Sequence, residues 1–232
     1  MDLEALRLTE NGKTPKQREG EVVVVTLGPK ETETTLRSAL ATGATRAVRI
    51  DATDEALDGR LVAKALHELV QEEQPDAVLM GKQAVDGDTN QVGQRLAELL
   101  DWPMATFAAT IREEDGALLV GREVDGGVLT LRVKLPAVVT VDLRVVAPTS
   151  VYSLKTDPSF EYNEGVRFAP LPAIMQAKRK PLALKSLGDL VADTTVTTSY
   201  PRFEAPPQRA GGALVADVPE LVDKLATEAK VI

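Results

Sequence analysis

The sequence contains no cysteine and a single histidine, and both shortages limit the chemistry open to it. Without thiols the chain cannot form disulfides, bind a metal through thiolates, ligate an iron–sulfur cluster through cysteine or use a cysteine nucleophile. The one histidine, His67, falls on the polar side of a helical pattern, so we expect it to be solvated rather than catalytic.

Long apolar runs and an excess of positive charge are also missing. No run approaches the roughly 20 apolar residues that a membrane-spanning helix needs. Residues 1–14 are acidic and polar, unlike a signal or transit peptide, so we expect a cytoplasmic protein. The net charge of -8 argues against general nucleic-acid binding. With 232 residues, of which 44% are hydrophobic, the chain can form one substantial domain, with or without a long extension.

Strand and helix patterns alternate through the first hundred residues. Continuous apolar runs predict short buried strands at 21–27, 46–50 and 77–80. Helical spacing predicts helices at 2–8, 32–42, 59–72 and 92–100, with a polar connector at 9–20. Such alternation predicts an α/β fold with a doubly wound, mainly parallel sheet, in which ligands bind at the carboxyl ends of the strands.

The second half of the chain has a different sequence pattern. Extended segments are predicted at 106–112, 117–124, 128–133 and 137–143, and Asp125-Gly126-Gly127 is a hairpin signal, so we expect an antiparallel addition to the sheet. Arg122 and Glu123 fit solvated strand charges. Residues 147–181 have no periodicity and are too long for an ordinary connection. A short helix or turn at 185–190, an extended arm at 199–212 and an amphipathic helix at 219–230 complete the chain.

The stretch from Ala77 to Gly93 has the features of a binding site. An apolar run ends at Gly81, a polar loop containing Gly87 follows, and helical spacing starts at Val92. A strand, a glycine-containing loop and a helix start direct free backbone N–H groups towards one point, and the helix dipole adds partial positive charge there.

The side chains of this loop suit a nucleotide. Lys82 supplies a full positive charge, and residues 89–91 offer hydroxyl and amide groups for phosphate oxygens or free N–H groups. Asp86 and Asp88 suit ribose hydroxyls or helix capping. An ordinary strand–loop–helix connection with normal capping explains these residues equally well, because short loop motifs occur often by chance.

Several stretches resemble the β subunit of electron transfer flavoprotein, and they occur in the correct order over nearly the whole chain. They are residues 81–91, 101–103, 122–127, 134–144, 171–178 and 206–209. This resemblance implies an adenine nucleotide alpha-hydrolase-like fold. It also implies a nucleotide-binding core at 1–145, a partner-recognition loop at 146–184, and a C-terminal arm and helix at 185–232 that pack on an α subunit.

The function implied by the resemblance is that of an electron carrier rather than an enzyme. The chain would be the β subunit of a heterodimer that binds AMP structurally, while FAD is shared with or held mainly by the α subunit. The carrier would take electrons from acyl-CoA and related dehydrogenases, as in fatty acid β-oxidation, and pass them to a quinone oxidoreductase.

The resemblance also assigns residues. The AMP site would comprise Leu27, Gly81, Lys82, Gln83, Ala84, Val85, Asp86, Gly87, Asp88, Thr89, Asn90, Gln91 and Val92. Leu171 matches the leucine that anchors the family's recognition loop in a dehydrogenase, with Ile174 and Met175 beside it. Glu123 matches a glutamate that positions the mobile flavin domain. No catalytic or metal-binding residue is implied.

The chain departs from the family pattern in three places. It starts inside the family's first helix, so we expect a shortened start, without the strand at the sheet centre and with the edges of the neighbouring strands exposed. Residues 146–168 form a longer stretch than the usual recognition loop. Leu129 occupies a position that is usually acidic or an amide.

Two alternatives stay open. Electron-bifurcating relatives bind a second FAD in place of AMP, but they tend to carry proline where this chain has Gln94, and Asn90 suits the ordinary branch. AMP is therefore preferred. A non-redox nucleotide-sensing module of the same α/β type, with the region around Leu171 serving a regulatory partner, would need no α subunit.

Overall fold

Parallel strands form the centre of the fold, and they fall into two separate sheets. The computed structural model describes residues 2–10, 19–163, 167–199, 201–202, 204–208 and 211–232. The chain divides into two units, Met1–Ser199 and Tyr200–Ile232, and both sheets belong to the first unit. The α/β class predicted from the alternating patterns is confirmed.

The smaller sheet contains three parallel strands in the order β1-β2-β9. They are β1 (Val23–Gly28), β2 (Arg46–Asp51) and β9 (Leu182–Ser186). The register of β1 and β2 runs from Val23 opposite Arg46 to Gly28 opposite Asp51, so the two strands end side by side.

The larger sheet combines parallel and antiparallel strands in the order β3-β7-β4-β5-β6. Its strands are β3 (Ala77–Gly81), β4 (Met104–Glu114), β5 (Ala117–Val124), β6 (Gly127–Lys134) and β7 (Ala137–Val141), and the short β8 (Val151–Tyr152) pairs with β4. β7 lies between β3 and β4 and runs parallel to both. β5 and β6 form an antiparallel hairpin across Asp125-Gly126, which confirms the predicted antiparallel addition.

Seven α-helices occur in the described ranges. They are α1 (Asp2–Thr9), α2 (Glu33–Thr42), α3 (Gly59–Glu73), α4 (Val92–Leu100), α5 (Leu171–Ala177), α6 (Leu187–Leu190) and α7 (Val218–Thr227). The apolar face of α3 packs against Val48 and Ile50 of β2, and α4 packs against Val138 of β7. Helices α3 and α4 thus bury the apolar stripes that their sequences predict. None of these helices is long and apolar enough to cross a membrane.

β1 and β3 each have a strand partner on one side only within the described residues. β1 pairs with β2, β3 pairs with β7, and no described strand connects the two sheets. The other edge of each strand therefore carries backbone N–H and C=O groups without a neighbouring strand to accept or donate hydrogen bonds.

The segment predicted as one recognition loop, residues 146–184, contains regular structure. It includes β8, α5 and the first part of β9. The helix or turn predicted at 185–190 is confirmed from Leu187, where α6 begins, but Lys185 and Ser186 belong to β9. A short stretch of leucine, alanine and lysine has weak β propensity, so the pairing with β2 rather than local preference decides its conformation.

Reciprocal hydrogen bonds fasten the end of α5 to α2. Arg37 Nη1 donates to the carbonyls of Ala177 and Lys180, both at 2.8 Å. Lys180 Nζ in turn donates to the carbonyls of Leu40 at 2.8 Å and Ala44 at 2.6 Å. These bonds satisfy carbonyls that the ends of both helices leave free, and they fix the position of α5.

The second unit ends in α7, which confirms the predicted C-terminal helix. Asp217 accepts a hydrogen bond from the Glu220 N–H at 2.9 Å, and Glu220 accepts one from the Ala216 N–H at 2.7 Å. This capping box defines the start of the helix. Residues 11–18 of the predicted connector, and Arg209 of the resemblance, lie outside the described residues.

Asp58 connects the start of α3 to Thr197. One carboxylate oxygen accepts the Leu61 N–H at 2.8 Å, and the other accepts the N–H and the hydroxyl of Thr197 at 2.6 and 2.8 Å. Burial alone would raise the pKa of Asp58, but these hydrogen bonds to the ionised form outweigh burial and hold the pKa well below its usual value. The ionised carboxylate therefore stabilises the fold.

We predict that Asp58→Asn lowers the free energy of unfolding by about 1–2 kcal/mol at pH 7. Because the folded-state pKa is depressed, the contribution is complete above the unfolded pKa of about 3.9 and is lost as the pH falls below it. Urea unfolding of wild type and variant at pH 7, 5 and 3 should show a difference that shrinks only at the lowest pH. The exposed Asp54→Asn is the matched control, and a difference independent of pH would contradict the assignment.

Candidate functional site

The loop predicted as a binding site lies at the carboxyl edge of the larger sheet. It begins at Gly81, the last residue of β3, and ends at Val92, the first residue of α4. Most of its side chains are exposed. Because Gly81 pairs with Val141 at the end of β7, the loop starts beside the residues that follow β7.

The start of α4 has no side-chain cap among the described residues. Gln91, the N-cap residue, makes no capping hydrogen bond, and its Oε1 instead accepts from Arg95 at 3.0 and 3.2 Å. Asn90 Oδ1 accepts from Gln94 Nε2 at 3.1 Å. The amide groups that could have capped the helix therefore bond to side chains one turn later. Backbone N–H groups left free at a helix start favour an anion.

Neither aspartate of the loop caps the helix. Asp86 accepts the N–H of its neighbour Gly87 at 2.8 Å, and Asp88 contacts the side-chain amide of Gln83. Asp88 and Asn90 have φ angles of 49° and 46°, a left-handed conformation that aspartate and asparagine adopt more readily than most residues. The sequence predicts that these aspartates either bind ribose hydroxyls or cap the helix. The described conformation excludes helix capping.

An ion pair holds Lys82 at the base of the loop. Its Nζ lies 2.6 Å from Asp142 Oδ2, while Asp142 Oδ1 accepts the Arg144 N–H at 3.1 Å. The hydrogen bond from Lys82 holds the pKa of Asp142 below its usual value. Sequence analysis missed Asp142, although the parallel pairing of β3 and β7 places the residues after both strands together.

Phe107 lies next to this ion pair. The Lys82 Nζ is 5.1 Å from the centre of the Phe107 ring, and the guanidinium carbon of Arg122 is 5.6 Å from it. Arg122, predicted as a solvated strand charge, is only partly exposed. Neither residue was assigned to the site from the sequence, because β4 and β5 reach this edge through a register that the strand pattern does not specify.

The other predicted residues lie on other elements. Leu27 is the second-last residue of β1, in the smaller sheet, where it packs against the cluster formed by β2 and α3. Glu123 lies in β5, and its carboxylate contacts the guanidinium of Arg144. The structure therefore brings residues 81–92 together in one loop and places Leu27 and Glu123 on separate strands.

Leu171, Ile174 and Met175 form an apolar surface on α5, which we call the docking face. They are spaced i, i+3 and i+4 and so share one side of the helix. Their exposed fractions are 72%, 44% and 57%. Exposed apolar patches of this kind mark interaction surfaces. The predicted recognition loop thus contains a short helix at these residues. The hydrogen bonds of Arg37 and Lys180 fix the position of that helix.

A surface groove lies beside α4, at the amino end of β4. It has a volume of about 420 Å³ and is lined by the end of α4 and by Trp102, Pro103 and Met104. Among the described residues, no three histidine or acidic side chains are arranged as metal ligands.

The sequence is similar to a known family over most of its length. The family model described as "Electron transfer flavoprotein domain" matches residues 2–190. A protein named electron transfer flavoprotein subunit beta from Bradyrhizobium diazoefficiens is 42% identical over 229 residues, which are 99% of this chain and 82% of that protein. The human subunit beta is 43% identical over 225 residues, covering 96% and 79% of the two chains. The mitochondrial subunit beta from Arabidopsis thaliana is 39% identical over 231 residues, covering 99% and 82%.

Gly93 allows the start of α4 to lie directly on the sheet. A Cβ atom at this position would lie 2.5 Å from the Thr140 methyl carbon and 3.1 and 3.2 Å from the side chains of Met104 and Met80. Thr140 belongs to β7 and is fully buried, so it cannot move aside cheaply.

Gly93→Ala should therefore destabilise the fold by about 1–3 kcal/mol, even though alanine favours helices. Chemical unfolding measures this difference. Gly87→Ala is the control, because a Cβ there has open space around it and should change stability by less than about 0.5 kcal/mol. Equal stability of Gly93→Ala and wild type would show that α4 can shift away from β7.

Proposed function

The chain belongs to the electron transfer flavoprotein family as a relative of its beta subunits, and we propose that it is the beta subunit of a heterodimeric electron carrier. The partner would be an alpha subunit that holds most of the FAD, the group that accepts and passes on electrons. The present chain would bind a second, structural nucleotide and contact the redox partners. Electron transfer through the heterodimer, rather than catalysis by this chain, would be its activity.

The observation that carries the nucleotide proposal is the uncapped start of α4, at the end of the loop that contains Lys82. Free N–H groups and a nearby ammonium suit a phosphate. Asp86 and Asp88 are exposed and bond only within the loop, so their remaining acceptor capacity suits ribose hydroxyls. AMP is the preferred nucleotide, bound by residues 81–92 with Leu27 at the end of β1. FAD in its place is the alternative.

The docking face is the proposed contact for acyl-CoA and related dehydrogenases. An apolar helix face held by its far end can enter a pocket of a partner without losing much conformational freedom. The hydrogen bonds between α5 and α2 support this use, because they leave Leu171, Ile174 and Met175 exposed while fixing the helix. Electrons would then pass to a quinone oxidoreductase, as in fatty acid oxidation.

Glu123 is proposed to position the flavin-bearing domain of the partner. Its carboxylate lies at the surface end of β5 and already contacts the guanidinium of Arg144. A basic group on the partner could therefore engage the same carboxylate with similar geometry. This would steer a domain and would not itself transfer electrons.

The first test is to identify the nucleotides in the complex. We expect the chain co-expressed with its alpha subunit to release one FAD and one AMP per heterodimer on denaturation, as measured by chromatography and mass spectrometry. Lys82→Ala should lose most of the AMP and keep the FAD, because only the AMP phosphate depends on Lys82. Lys134→Ala, which changes an exposed lysine at the end of β6, is the control.

Each other outcome has a definite meaning. Release of two FAD per heterodimer would mean that FAD occupies the site in place of AMP, and it would favour an electron-bifurcating protein. A nucleotide bound without any alpha subunit would favour a nucleotide-sensing module. FAD without AMP would contradict nucleotide binding by the loop, and full AMP retention in Lys82→Ala would remove the phosphate contact of Lys82.

Leu171→Ala tests the docking face. Truncation of a central apolar anchor typically costs 2 kcal/mol or more, so the second-order rate of reduction by a reduced acyl-CoA dehydrogenase should fall about tenfold or more. Stopped-flow absorbance of the flavin measures this rate, and the nucleotide content should stay unchanged. Leu154→Ala, an exposed leucine 17 positions earlier in the chain, is the control. Equal rates for Leu171→Ala and wild type would refute the docking assignment.

A further inference from the structure

Among the described residues, Arg122 has no acidic partner, unlike Lys82 and Arg144. It lies in β5 opposite Ala108 of β4. Its Nε is buried and has no hydrogen-bond partner among the described residues. Burying a guanidinium donor without an acceptor costs free energy, so an arrangement of this kind needs a compensating benefit.

The ring of Phe107 is the neighbour that positions Arg122. The backbone of Phe107 has a φ angle of 58°, an unusual conformation for a bulky residue, and it occurs where the register of β4 shifts between Ala105 and Ala108. The Phe107 N–H donates to Thr140 Oγ1 at 3.3 Å, which helps to retain this conformation. As a result one aromatic ring contacts the cations of both Lys82 and Arg122.

The charges around this ring do not balance. Lys82 is paired with Asp142, and Arg144 is paired with Glu123. Arg122 adds a third positive charge without a carboxylate partner in the described part of the chain. The cluster therefore has one uncompensated positive charge, at the edge of the sheet where the loop of residues 81–92 begins.

We propose that Arg122 binds a phosphate of the nucleotide held by residues 81–92, as a second cation beside Lys82 with the Phe107 ring between them. The inference rests on the proposed function and names a phosphate-binding residue outside the loop. A phosphate bound to the Arg122 guanidinium would supply the negative charge that the cluster lacks. The phosphate of AMP and the diphosphate of FAD share this chemistry.

The experiment compares AMP with adenosine, which differ only in the phosphate. Calorimetric titration of the nucleotide-free heterodimer should show that Arg122→Ala weakens AMP binding about tenfold or more and leaves adenosine binding unchanged. Arg122→Lys should keep part of the preference for AMP over adenosine, because lysine retains the charge but not the forked donor geometry. A parallel titration with FAD identifies the source of the phosphate: a loss confined to FAD assigns Arg122 to the flavin diphosphate.

The control is Arg112→Ala, because Arg112 lies over another ring, with its guanidinium carbon 5.1 Å from the centre of Tyr152. Thermal unfolding separates binding from folding: Arg122→Ala should melt no lower than wild type, since it removes an unsatisfied buried donor. Equal losses of AMP and adenosine affinity in Arg122→Ala, or unchanged affinity for AMP and FAD, would overturn the assignment of Arg122. The proposed function would not be affected. Failure of the wild-type heterodimer to bind AMP or FAD at the loop would instead refute the proposed function, and the inference with it.

Discussion

The pairing of β7 with a strand on each side is the constraint on which the candidate site depends. All five residues of β7 are buried, and the strand is parallel to β3 on one side and to β4 on the other. Thr140, near its end, contributes twice. Its methyl group packs at Gly93 and sets how closely α4 approaches, and its hydroxyl accepts the Phe107 N–H. A shift of β7 would therefore displace the helix start and the aromatic ring together, and the loop between β3 and α4 would follow.

Some polar groups of the protein are hydrogen-bonded within the fold, and others have no hydrogen-bond partner among the described residues. Arg37, Lys180 and Asp58 use their hydrogen-bonding capacity inside the protein, where they join elements far apart in sequence. Arg122 Nε lacks a partner among the described residues, and the start of α4 lacks a side-chain cap. A buried donor without an acceptor reduces stability, so such groups persist where binding compensates for them.

Local periodicity was sufficient to predict the strand–loop–helix unit from Ala77 to Leu100, because each of its parts has a clear period and a clear boundary. The edge at which the loop lies also follows from the βαβ alternation alone. Features that depend on pairing between distant segments could not be predicted. The strand β9 forms because β2 offers a partner 135 residues earlier, and the ion pair between Lys82 and Asp142 depends on the register of β3 and β7. Residue type indicated the charge of Arg122, but only the pairing of β4 with β5 determines which face it occupies.

The protein is held by strand pairing before the docking face and by hydrogen bonds at the end of the helix that carries it. The position of the docking face therefore does not depend on the length of the chain between these two contacts. β8 is paired with β4 at one end, and α5 is fastened to α2 at the other. The closure entropy of the chain between them rises by only about 0.6 kcal/mol for each doubling of its length. Insertions at exposed positions between these two contacts should thus cost little and leave α5 in place, whereas Ser153, Thr156 and Tyr162 are buried in the fold. The chain around this apolar face can therefore vary in sequence and length while the helix that carries the face, and the sheet beside it, stay unchanged.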